Sequence, residues 1–75
     1  MSLLEKIENN RQIAERMYSL YSTHADEDGN LPTQGYTAIK GVFSEVEEDD
    51  KVDVYIMFVQ YLELNNVKYN PEQFQ

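Results

Sequence analysis

Between Val52 and Leu64 nearly every position is apolar or aromatic, and this stretch limits what the chain can fold into more than any other. Val52, Tyr55, Ile56, Val59 and Leu62 recur at helical spacing on one face. Val54, Phe58, Tyr61 and Leu64 widen it, leaving Asp53, Met57, Gln60 and Glu63 as a narrow outer stripe. A helix of this kind must be covered on more than one side. The same residues are β-branched and aromatic, and Leu62-Glu63-Leu64 followed by Asn65-Asn66 and Val67-Lys68-Tyr69 also fits a two-residue hairpin. A lone hairpin would have no third strand to pair with, so the spacing is read as a helix over about 50–65. Asp49 or Asp50 supplies its cap, and the acids of its first turn complement the positive end of the helix dipole.

Two further helices are expected to provide that cover. Ser2-Leu3-Leu4-Glu5 is a capping box, with the serine placed to accept from the third helical amide. Leu3, Ile7, Ala14, Met17 and Tyr21, widened by Leu4, Ile13 and Leu20, then form a stripe over about 2–22. Asn10 interrupts that stripe, either as a polar contact that sets register or as the point where the face turns to solvent. Glu8, Arg11 and Glu15 stand at spacings that let opposite charges meet. From Thr23 to Gly35 the pattern stops, and Asp26, Asp28, Gly29, Asn30, Pro32 and Gly35 predict a loop.

Thr33 then caps a helix over about 33–47 with Tyr36, Ile39, Val42, Phe43 and Val46 on one face. Gly35 and Gly41 each weaken it by about 1 kcal/mol relative to alanine. Residues 66–75, with Pro71, Tyr69 and Phe74, read as an irregular tail that frays or docks through its two aromatics. The expected fold is therefore all-α: a small antiparallel three-helix bundle in a single domain.

A chain of 75 residues buries only about 60 to 65 per cent of its unfolded surface, so its stability margin is narrow. Without cysteine there is neither a disulfide nor a thiolate metal site to widen it, which makes self-association an expected remedy. The longest apolar run, Val54 to Val59, falls far short of the ~20 residues of a membrane span, and no charged leader opens the chain. The expectation is a cytoplasmic protein with no membrane contact.

Charge says more about partners than about chemistry. Fourteen acids face six bases, for a net charge of −8, and five of the acids fall in the run Glu45 to Asp50. Such a surface repels nucleic-acid phosphates and attracts basic surfaces. His24, Asp26, Asp28 and Gly29 are spaced like the start of a helix-loop-helix calcium loop, but that loop's bidentate glutamate falls on Gly35 and histidine suits calcium poorly. A connecting turn is the better reading, and no metal or cofactor is assigned.

The crowded carboxylates lack a neighbouring nucleophile, and the single histidine lies in another loop, so no enzymatic activity is expected. The leading reading is a non-enzymatic acidic protein that occludes a basic macromolecular surface, such as that of a nucleic-acid-handling enzyme, without touching nucleic acid itself. Asp26, Glu27, Asp28, Glu45, Glu47, Glu48, Asp49, Asp50 and Asp53 would steer that partner. Tyr55, Phe58 and Tyr61 would supply desolvated contact. The alternatives are a homo-oligomeric assembly component, or an oligomer that sequesters a small molecule at a subunit contact.

Overall fold

A computed structural model describes residues 2–70, which form three α-helices and no strand among them: α1 (Leu3–His24), α2 (Thr33–Ser44) and α3 (Lys51–Leu64). Contacts between the helices set their directions. His24 meets Gly35 and Arg16 pairs with Glu45, so α2 runs antiparallel to α1. Lys6 pairs with Asp50 and Tyr21 packs on Phe58, so α3 runs in the same direction as α1. α1 is the spine: α2 and α3 both pack along it and make little direct contact with each other.

Ser2 caps α1 as its pattern predicts, accepting from the Glu5 backbone N–H at 3.2 Å. The helix then buries Ile13, Ala14, Met17 and Tyr21. Asn10 does not turn to solvent; it is 7% exposed and continues that buried row toward the N-terminus. The expected stripe is lost instead at its start, where Leu3, Leu4 and Ile7 extend past the cover and are exposed.

Thr33 is the first residue of α2 rather than its cap. Pro32 holds the cap position in an extended conformation, with no side-chain hydrogen bond to the helix end. Proline has no side-chain acceptor for the free N–H groups of the first turn, so the chain enters the helix without a polar cap. α2 closes at Ser44, three residues before its expected end. Val46 still reaches the core, through a turn in which its N–H donates to the Phe43 carbonyl.

The cap expected from Asp49 or Asp50 is also replaced. Glu48–Asp50 form a 3₁₀ turn that runs directly into α3, and neither side chain caps it. On α3 the buried row is Val54, Phe58 and Leu62, while Val52 and Ile56 face solvent and Met57 is half-buried. The inward face is thus turned by about a quarter of the helix circumference from the one expected: Leu62 belongs to both, and Tyr55 and Val59 still pack against the core. Apolar residues surround this helix, so period alone could not choose a side.

No hairpin forms at Asn65-Asn66. Asn66 takes the left-handed conformation at φ 56°, its N–H donates to Glu63 and that of Val67 to Leu62 at 2.9 Å, which closes the helix as a Schellman motif. The tolerance for positive φ that suggested a hairpin turn here serves a helix stop. Val67 and Tyr69 then fold back on the core. The expected docking of Phe74 lies outside the described residues.

Tyr21, fully buried, ties these parts together. Its hydroxyl donates to the Gly29 carbonyl and accepts from the Asn70 N–H at 3.2 Å, which joins the interhelical loop to the segment after α3. Gly29 adopts φ 84°, and a Cβ there would meet the Lys68 carbonyl carbon at 2.7 Å, so the close approach and the positive φ both require glycine.

Candidate protein-binding surface

Nine of the fourteen acidic residues fall into two groups at opposite ends of α2. At one end, Asp26 builds its own loop: Oδ1 accepts from the N–H groups of Asp28 at 3.0 Å and Asn30 at 2.9 Å. Short acidic side chains favour this arrangement because they reproduce a backbone turn. It commits Asp26 to structure and leaves Glu27 and Asp28 pointing outward. Among the described residues no three histidine, aspartate or glutamate side chains are grouped to hold a metal ion.

At the other end, Glu45, Glu47, Glu48 and Asp49 are exposed. Glu45 pairs with Arg16 at 3.7 Å, and Glu48 with Lys51 at 3.5 Å. Asp50 leaves the set of contact residues. It is 8% exposed and its Oδ1 lies 3.4 Å from the Lys6 ammonium, joining the start of α3 to α1. A buried carboxylate needs such a partner, which explains why this one acid of the run turns inward. Asp53 is exposed in the first turn of α3, where its charge complements the helix dipole.

Of the three aromatics expected at the surface, Phe58 is fully buried and belongs to the core. It stacks edge-on against Tyr21 at 5.9 Å and Tyr55 at 6.4 Å, in the tilted geometry that aromatic quadrupoles favour. Tyr61 is half-buried and committed to α1. Its ring lies 6.1 Å from that of Tyr18 and its hydroxyl donates to Glu15 at 3.1 Å. Burial, reinforced by Glu15, pushes the Tyr61 hydroxyl pKa up. Arg11 binds Glu15 and also Glu8, and that hydrogen bond holds the Glu8 carboxyl below its ordinary range. Tyr55 is half-buried beside a groove between α2 and α3.

Two side chains that the spacing placed on the inward face are exposed instead, and both are aliphatic. Val52 is 69% exposed and Ile56 49%, one turn apart on the outward side of α3. Asp53 stands in the same turns, and Glu48 and Asp49 in the 3₁₀ turn just before them. Two desolvable side chains are thus rimmed by three acids. Such an arrangement offers apolar contact at its centre and attraction for cations at its edge. No helix of the described residues is long and apolar enough to cross a membrane.

No protein-family model matches the chain, and no curated protein and no solved structure matches it.

Proposed function

We propose that this chain is a non-enzymatic binding protein that docks the outward side of α3 onto a basic protein surface and occludes it. The observation that carries the reading is the exposed Val52 and Ile56 pair with Glu48, Asp49 and Asp53 around it. Apolar side chains held in water have free energy to gain from desolvation, about 25 cal/mol per Å² of apolar area covered. The acids bias the choice toward cationic partners and speed the encounter. The net charge of −8 extends that bias over the molecule and disfavours nucleic acid as the direct ligand. An enzyme that handles nucleic acid presents a basic face of the kind required.

Affinity capture at low and moderate salt tests this with two variants: Glu48→Lys/Asp49→Lys/Asp53→Lys, and Val52→Ser/Ile56→Ser. Basic proteins held by the natural chain and released by either variant support the reading. Retention of neutral or acidic proteins alone, or capture that survives charge reversal, rejects it.

A second reading, self-association, is supported by Leu3, Leu4 and Ile7, which are 73%, 79% and 46% exposed on the first turns of α1. A second copy covering them would offset the narrow margin of so small a core. Sedimentation of the natural chain and of Leu4→Ser/Ile7→Ser distinguishes this from a monomer.

A further inference from the structure

α2 and α3 splay apart along the spine of α1, and the gap between them is a groove of about 300 Å³. Met17 and Ile39, each 2% exposed, lie at its base, and Tyr36, Phe43 and Tyr55 line its sides. Its charged rim is basic in a chain that is otherwise acidic, and the Ser44 hydroxyl beside it donates to the Gly41 carbonyl. Lys40 comes from α2 and Lys51 from the start of α3. Their ammonium groups lie 5.6 Å from the Tyr36 ring centroid and 5.4 Å from that of Phe43.

Four of the six basic residues, Lys6, Arg11, Arg16 and Lys51, are in ion pairs with acids; Lys40 has no ion pair among the described residues. The acid paired with Lys51, Glu48, has a side chain 89% exposed, so water can replace that contact at little cost.

We infer that this groove binds a small amphipathic carboxylate, its apolar body against Tyr36, Phe43 and Tyr55 and its head group at Lys40 and Lys51. The site lies on other residues than the outward side of α3 and touches it only through the Lys51–Glu48 pair. Its volume is at the lower end of the range for small-molecule sites, roughly 300 to 1,000 Å³. A helix, at about 10 to 12 Å across with its side chains, is a poor fit to so small a space. The walls are apolar and aromatic with few polar groups, which suits an alkyl or aryl body. Met17 at the base can adapt its shape to the occupant. The head group must be anionic because the lysines supply donors and positive charge and no acceptor. Their position over aromatic rings keeps them at the edge of the apolar bed, where the polar end of an amphiphile would emerge.

The test is titration of the isotopically labelled full chain with decanoate, decanol and decyltrimethylammonium, followed by amide chemical shifts. Saturable changes centred on Tyr36, Lys40, Phe43, Lys51 and Tyr55 are expected with decanoate. Decanol should bind about tenfold more weakly and the cation more weakly still. Lys40→Glu/Lys51→Glu should lose decanoate binding while keeping its helical circular dichroism. The exposed single substitution Lys40→Gln should weaken it by a smaller factor and serves as the measure if the double variant does not fold. The inference is overturned if decanoate and decanol bind equally, if the shifts centre on Val52 and Ile56 or on Leu3 and Leu4, or if the lysine variants bind as the natural chain does. It is equally overturned if an acidic amphipathic peptide fills the groove and decanoate does not.

Discussion

A Cβ added to Gly35 would lie 2.6 Å from the Cβ of His24, so α1 and α2 meet there closely enough to exclude any side chain. Gly41, six residues on in the same helix, has nothing within 4 Å of the equivalent position. Gly35→Ala should therefore destabilise the protein by about 1 to 3 kcal/mol through overpacking. Gly41→Ala should stabilise it by up to about 1 kcal/mol through helix propensity. Urea denaturation of the two variants checks the opposite signs.

Removing the Tyr21 hydroxyl leaves the Gly29 carbonyl without its donor and the Asn70 N–H without that acceptor. Tyr21→Phe keeps the ring and should cost about 1 to 3 kcal/mol. Amide exchange should rise around Gly29 and Asn70 more than along α2.

Alkaline pH acts on the same group. Burial raises the Tyr21 pKa above its ordinary 10.0, as burial does for Tyr61 and the hydrogen bond with Glu63 does for Tyr69. In each case the folded state holds the phenolic proton more tightly than the unfolded chain. Their contribution to stability is thus complete below the unfolded pKa, near 10, and declines as pH rises through the folded values. Thermal melts should be insensitive to these groups below about pH 9 and fall steeply above about pH 10. Tyr21→Phe should show a shallower fall.

Asp50 should behave as a structural residue and its neighbour Asp49 as a surface one. Lys6→Met leaves the buried Asp50 carboxylate without its cation and should cost about 1 to 3 kcal/mol, whereas Asp49→Asn should change stability by less than about 0.5 kcal/mol. Chemical denaturation at neutral pH measures both.

The same contrast runs along α3. Phe58→Ala should cost about 3 to 5 kcal/mol, since it opens a cavity beside Tyr21 and Tyr55. Ile56→Ser, at a half-exposed site, should cost far less and act on partner binding. Thermal stability and capture of the basic partner, measured on one pair of variants, separate core from contact surface.

The helices themselves were legible because periodic apolar residues and local caps carry their own physics: Ser2 with Glu5 starts α1, and Ile39, Val42 and Val46 mark the inner side of α2 and its exit. The orientation of α3 was not legible. Helical period distinguishes faces by contrast, and a segment with apolar residues on almost every side has too little of it. The fate of Asp50 was hidden for another reason: its partner Lys6 is 44 positions away in sequence, and no local pattern reports a pairing made by the fold. The acidic surface was partly legible, since Glu27, Asp28, Glu47, Glu48, Asp49 and Asp53 do face outward. The groove between α2 and α3 was invisible, because it is made by the divergence of two helices and not by any motif.

The placement of acids at both ends of α2 sets a spacing. Twelve residues of α-helix make a rod roughly 18 Å long between the loop that carries Glu27 and Asp28 and the turn that carries Glu47 and Asp49. A ligand that engages both would need two cationic prongs at that separation. A folded protein supplies these readily, while one extended strand must commit about five or six residues to bridge the gap. The protein would then act as a caliper, selecting partners by the distance between their positive charges as well as by their number.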